Sequence, residues 1–273
     1  MRDKIVVVVG ASLGIGAEVA RLFAAGGARL VLVARDATRL EAFAETLRAT
    51  GARVLTIAAD IGVPADCERV IATTVDTLGG LDVLVNNAAL HHRGPAATMA
   101  PEKLAQMVDV NLRAVVHLTC LALPHLKARG GGTVVQVASL AGCVPTPGSA
   151  TYSATKFGVR AFSRALDDEL AGTGIRIKIV SPGPVDTGFI LDDLEHVTDL
   201  TLSQPMSTSA HVAAAILAAA TGADTRTEIK MPALSGVLTT VAYVVPGLGR
   251  LLRPLLERKG RAAKARLQAR RDG

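Results

Sequence analysis

Aromatic residues are scarce in this chain of 273 residues: no Trp, two Tyr and five Phe. A core must therefore be assembled from Ala, Val, Leu and Ile. The C-terminal tail also lacks the aromatic rings on which single-stranded bases stack, so no nucleic-acid partner is expected. Cysteine is nearly missing too. Cys67, Cys120 and Cys143 are far apart, form no CxxC pair and join no His/Cys group at metal-ligand spacing. They read as reduced thiols in a cytosolic compartment, which excludes a disulfide framework and leaves no metal site to expect. Neither His91 nor His92 has a further ligand at metal spacing, so both read as loop or pocket-rim residues. No apolar run reaches the eighteen residues of a membrane-spanning helix. No leader peptide is expected, because residues 1–4 run directly into a strand. Repeats, low-complexity tracts and any dividing linker before about residue 232 are also absent.

The charge is unevenly placed. From Arg250 onward there are nine Lys/Arg and two Asp/Glu, a net +7, while the other 249 residues carry 21 basic and 22 acidic side chains. A nearly neutral body thus precedes a strongly basic tail. The length suits one α/β domain. We expect a single doubly wound parallel sheet over residues 1–232, followed by an apolar and then basic amphipathic extension over 233–273.

Strand and helix patterns alternate along the body. KIVVVV (4–9) is a β-branched run, as in a parallel strand covered on both faces. A glycine loop follows, with Gly10, Ser12, Leu13, Gly14, Ile15 and Gly16, and then a helical pattern. Strand, glycine loop and helix N-terminus together make a cradle for a dinucleotide pyrophosphate. The second strand (29–34) ends in Ala34 and Arg35, where NAD-selective folds place a carboxylate against the ribose 2′-hydroxyl. A guanidinium there can pair with a 2′-phosphate, which favours NADP(H) over NAD(H). Asp36 alongside it weakens that preference. Further strands are expected over 53–59, 81–85, 133–138 and 175–180, with helices at 37–50, 64–78, 102–129 and 210–220. Asp60, Ile61 and Asn87 fall at strand carboxyl ends, where open α/β sheets bind ligands. Asn111 lies within a long helical run and reads as a group that holds water or bends the helix. Pro182, Gly183, Val185 and Thr187 form a proline-braced loop able to clamp a flat ring. The weakly periodic stretch 188–208 suits a lid.

The chemistry is concentrated in SLAGCVPTPGSATYSATK (139–156). Tyr152 and Lys156 stand one helical turn apart and share a face. A nearby ammonium favours the phenolate, which brings a group of ordinary pKa about 10 toward a useful range. Ser139 follows a strand and can present its hydroxyl at the strand end.

Taken together, the GxxxGxG loop, Asp60, Asn86-Asn87-Ala88, Asn111, Ser139, Tyr152-x3-Lys156 and Pro182-Gly183 with Thr187 resemble the short-chain dehydrogenase/reductase family over roughly residues 4–232. Val9 and Ala89 depart from the family pattern, and Leu13 stands where many NADP-dependent members have a basic residue. The resemblance implies an oxidoreductase in which Tyr152 is the acid or base. Lys156 would lower its pKa and bond the nicotinamide ribose, while Ser139 would bond the substrate oxygen. Asn111 would hold a water that supplies protons, Thr187 would bond the carboxamide, and Asp60 and Ile61 would flank the adenine. It also implies a homo-oligomer, a dimer or tetramer. Leu140, Ala141, Gly142, Cys143, His91 and Pro184 are the pocket candidates. They are small or apolar and suggest a hydrophobic carbonyl or alcohol substrate. A non-catalytic NADP(H)-binding sensor is the alternative reading, and an adaptor acting through the tail is a third.

In the tail, apolar residues at 248, 251, 252, 255 and 256 keep helical spacing between Arg250, Arg253 and Arg258. Pro254 and Gly260 argue against one long helix. The tail reads either as a surface for peripheral contact with the inner face of a membrane through 234–271, or as a packed cover or oligomer contact with a disordered basic end.

Overall fold

Ile5–Val9 forms strand β1 with all five residues buried. The structure, a computed structural model, describes residues 1–272; Gly273, the last residue of the expected extension, lies outside the described residues. After β1 come α1 (Gly14–Ala25), β2 (Arg29–Ala34), α2 (Ala37–Arg48), β3 (Arg53–Ala58), α3 (Pro64–Leu78) and β4 (Val83–Asn86). Next are α4 (Pro101–Val108), α5 (Ala114–Ala128), β5 (Gly132–Val137), α6 (Ala150–Glu169) and β6 (Ile175–Pro182). The chain ends through β7 (Val185–Asp186), α7 (Gly188–Leu191), α8 (Asp199–Leu202), β8 (Ser207–Thr208), α9 (Ser209–Thr221), β9 (Glu228–Met231), α10 (Ala233–Val244) and α11 (Pro246–Asp272).

Seven strands pair in the order β3-β2-β1-β4-β5-β6-β9, and every pairing is parallel. The alternation of side chains sorts the core into two layers. Val6 and Val8 pack with Phe23, Phe43 and Ile216 from α1, α2 and α9. Val7 and Val9 pack with Ile71, Leu118 and Leu166 from α3, α5 and α6. Each such buried apolar side chain is worth ~1.5–3 kcal/mol against exposure. β1 to β3 progress to one side and β4 to β6 to the other, so the strand order reverses between β1 and β4. That reversal opens a crevice at the strand carboxyl ends, the usual ligand site of such sheets.

Three expectations are corrected. The run 102–129 is not a uniform α-helix: a π-turn at Asp109–Arg113 joins α4 to α5. This run is long and apolar enough to cross a membrane by composition, yet Leu118, Ala122 and Leu126 are fully buried against the sheet. The stretch 188–208, weakly periodic in sequence, holds short elements, α7, α8 and β8. Its short turns enclose a small core of Ile190, Leu194, Val197 and Leu202.

The third correction concerns the tail, where Pro254 and Gly260 are expected to prevent one long helix. Helix α11 runs unbroken through Pro254 and Gly260. Gly260 is buried where a side chain would strike the Asp199 carbonyl, so the glycine is a seat for α8 and not a breaker. Ala263 and Leu267 then pack on the lid core, and Lys264 Nζ donates to the carbonyls of Glu195 (2.6 Å) and Val197 (3.0 Å). Tertiary packing here overrides the local propensity of Pro and Gly.

Candidate active site

Gly10 turns the chain out of β1 at φ +79°, and a Cβ there would lie 2.8 Å from the Ala88 backbone. A side chain on Gly16 would run into the Gly10 carbonyl, which already accepts from Asn87 Nδ2 at 2.9 Å. The glycines thus close the loop onto the end of β4. Leu13, at the N-cap of α1, offers no side-chain cap, and no acidic residue stands in the first turn. The first-turn N–H groups therefore suit an anion. The whole cleft has a volume of about 1740 Å³, larger than the 300–1,000 Å³ typical of drug-sized ligands and ample for a dinucleotide with a second molecule. Ser12, Leu13, Gly14, Ile15, Arg35, Asp60, Ile61, Asn87, Pro182, Gly183, Val185 and Thr187 all line it, whereas Gly16 does not. Gly14 and Thr187 face each other across it, with Thr187 Cγ2 3.2 Å from the position of a Gly14 Cβ.

At one end of the cleft stand three arginines, of which the sequence singled out one. Arg35 is exposed, and Arg21 and Arg39 also line the wall. The side chain of Asp36 accepts from the Arg39 backbone N–H at 2.9 Å and caps α2. That carboxylate also lines the cleft, and its other oxygen lies 3.7 Å from Arg39 Nε.

At the other end α6 presents Tyr152 and Lys156, both buried. Lys156 Nζ donates to the Val137 carbonyl at 2.9 Å and lies 5.8 Å from the Tyr152 ring centre. Burial pushes its pKa down to about 8. Tyr152 moves the other way. Burial raises the phenol pKa, opposed by the hydrogen bond from Ser139 and the positive charge of Arg93. The expected depression by Lys156 is not seen in the chain itself, because that ammonium is directed at the end of β5. Ser139 accepts from Ala141 N–H at 3.1 Å, which turns its hydroxyl toward the cleft at the start of a 3-10 turn.

Asn111 is fully buried within the π-turn, where its amide clamps the backbone of Leu90, accepting from N–H and donating to C=O at 2.7 Å each. Its side chain is occupied by the β4–α4 loop, so the expected water-holding role does not fall to the side-chain amide. Of the pocket candidates, Leu140, Ala141, His91 and Pro184 line the cleft, whereas Gly142 and Cys143 do not. Gly142 is pressed against the backbone of Lys156. Cys143 is buried beneath the wall, which pushes its thiol pKa up.

His91 has a more definite place than a rim. Its ring stacks on Tyr152 at 4.0 Å with 12° between planes, and Nε2 lies 3.1 Å from Ser149 Oγ. Burial, assisted by the charge of Arg93, pushes its pKa down to about 3. Phe189 of α7 completes an aromatic corner, 6.4 Å from Tyr152. Arg93 is neutralised by Asp193 at 2.7 Å and donates to the Phe189 carbonyl at 2.7 Å. This tie across the lid joins residues a hundred positions apart, a distance no local pattern reports.

The sequence profile of the short chain dehydrogenase family matches residues 4–196. An uncharacterized oxidoreductase of Staphylococcus epidermidis is 35% identical over 187 residues, 68% of this chain and 80% of its own length. An 11-beta-hydroxysteroid dehydrogenase of Pinus massoniana is 41% identical over 189 residues, 68% of this chain and 52% of that protein. A ketoacyl reductase of a Nostoc species, HetN, is 33% identical over 218 residues, 79% of this chain and 76% of that one. With its parallel sheet, its glycine cradle and these relatives, the chain belongs to the short-chain dehydrogenase family of NAD(P)(H)-using oxidoreductases.

Proposed function

We propose that this oxidoreductase uses NADP(H) to interconvert a hydrophobic carbonyl compound and its secondary alcohol, with Tyr152 as the acid and base. The carrying observation is the meeting of half-buried Ser139 with buried Tyr152 and Lys156 at the strand-order reversal of a cleft with room for two molecules. The bound nicotinamide supplies or accepts the hydride. The protein handles the proton and the charge. In reduction, Ser139 donates to the carbonyl oxygen as negative charge develops. Tyr152 gives its phenolic proton to that oxygen, and the phenolate left behind draws a proton back through Lys156. An ammonium held near pKa 8 is well matched to this exchange, since it releases and regains a proton close to neutrality. In oxidation the same steps run in reverse.

Arg35 and Arg39 support a 2′-phosphate, although Asp36, which caps α2 through one oxygen, also lines the cleft and lies 3.7 Å from Arg39. Near Tyr152 the apolar wall and the internal pairing of Arg93 with Asp193 favour an apolar substrate group, while Arg250 and Lys259 line another part of the cleft. The names of the Pinus and Nostoc relatives, a hydroxysteroid dehydrogenase and a ketoacyl reductase, agree with a carbonyl/alcohol pair.

The test is fluorescence titration with NADPH and with NADH, for the parent chain and for Arg35→Ser. Charged hydrogen bonds are worth about 1.5–3 kcal/mol. NADPH binding should therefore weaken about 10- to 100-fold in the variant, with NADH unchanged. Equal affinity of the parent chain for both would overturn the cofactor assignment. Tyr152→Phe should keep cofactor affinity and lose about 10²–10⁴ of carbonyl turnover.

A further inference from the structure

Eleven of the fifteen exposed large apolar side chains among the described residues fall between Leu234 and Leu255. Leu234 is 71% exposed, Val244 71%, Leu251 76% and Leu255 65%. They recur every three or four positions along α10 and the first half of α11, so each helix offers one apolar stripe to the outside. Scattered exposed leucines need no explanation, but a contiguous patch of this kind marks a surface that meets something apolar.

Charge identifies the occupant. Arg250, Arg258 and Lys259 lie along the same helix, and no ion pair engages them among the described residues. Glu257, the nearest carboxylate in that segment, is already paired with Arg253 at 2.7 Å. The segment from Arg250 to the end carries a net +7. A second copy of the chain would bring a like-charged tail against this one. A bilayer bearing anionic headgroups offers both an apolar interior and the opposite charge. The place of the patch points the same way. Leu234, Leu238, Arg250 and Arg253 also line the mouth of the large cleft.

We infer that α10 and the first half of α11 dock on an anionic lipid surface, with the mouth of the cleft at the membrane. Docking itself is independent of the proposed chemistry. That the cleft then draws an apolar substrate from the bilayer rests on that chemistry. Each basic side chain near an anionic surface contributes about fivefold to affinity, and the apolar stripe adds to this.

Flotation of the full chain with phosphatidylcholine vesicles, with and without phosphatidylglycerol, tests the docking. The chain should float with the phosphatidylglycerol vesicles, and about 1 M salt should weaken this, because the screening length falls to about 3 Å. The double variant Leu251→Asp and Leu255→Asp should float at least about tenfold less. Both positions are solvent-facing and outside the cleft, and unchanged NADPH binding would report an intact fold. The inference fails if the parent chain stays behind with both vesicle types, or if the double variant floats equally well. It also fails if sedimentation shows a dimer that the same two substitutions split, which would give the face to a second copy. A chain that binds vesicles but not NADPH would leave the docking standing and remove the proposed chemistry.

Discussion

Acidifying this protein from pH 7 to pH 5 protonates His91 in the unfolded chain and leaves it neutral in the folded one. The half-buried ring is pinned between Tyr152 and Ser149; desolvation, with Arg93, Lys156 and His92, disfavours a charge, and Asp193 favours it. Its pKa is about 3, against an ordinary 6.5. The folded pKa is lowered, so the unfolded state binds the extra proton and stability falls as pH drops below about 6.5. At pH 5 the gap covers about 1.5 units of that range, a loss of about 2 kcal/mol, or roughly 4–8 °C in Tm for a chain of this size. Urea denaturation at pH 7 and pH 5 would be compared for the parent and His91→Gln, which keeps a polar group for Ser149. Carboxylates that titrate in this range do so in both proteins, so the difference between them isolates His91. The parent should lose about 2 kcal/mol more than the variant. Parallel losses would show that the imidazole takes up its proton in the folded state, and the desolvated stacking on Tyr152 would have to be abandoned.

Other consequences can be measured with the same protein. Glu228 is buried on β9, bonded to Arg160 (2.6 Å), Arg164 (2.8 Å) and Ser181 (2.9 Å), and its carboxyl is held down at about 2. Glu228→Gln should cost about 3 kcal/mol by leaving Arg160 without its partner, read by urea denaturation. Because this pKa is lowered, the stabilisation is complete above about pH 4.5 and disappears as pH falls toward 2, so the variant should unfold with a shallower acid dependence. Leu267→Ala should loosen the lid core by about 1.4 kcal/mol, opening the lid about tenfold more often and speeding limited proteolysis within 188–208 by the same factor. NADPH affinity should be little changed, since Leu267 lies outside the cleft wall.

The features legible in the sequence were those that local spacing encodes. A buried parallel strand needs an unbroken β-branched run, and a pyrophosphate cradle needs glycines at fixed intervals, so β1 and the loop after it could be placed directly. The same holds for Tyr152 and Lys156, which meet because four residues make one turn. What escaped depended on parts of the chain that fold together from a distance. That Asp36 also caps α2 is a contact of its folded surroundings. The direction of the Tyr152 shift is a matter of burial, which spacing does not report. The Arg93–Asp193 bond and the landing of Lys264 on the lid span too much chain for any periodicity to reveal. Pro254 and Gly260 misled because their local preference is real but smaller than the packing that overrides it.

Helix α11 also sets an order in time. The catalytic candidates are all in hand once the chain has been made as far as Lys156, and the sheet is complete at Met231. The lid core still lacks Ala263 and Leu267, and the carbonyls of Glu195 and Val197 still lack Lys264. Domains fold largely in step with their synthesis, N-terminal parts first. A nascent chain of this protein therefore carries its reacting groups well before it has a finished cover for them. A ribosome that stops before Ala263 releases a molecule with a full set of chemical residues and an unsupported roof.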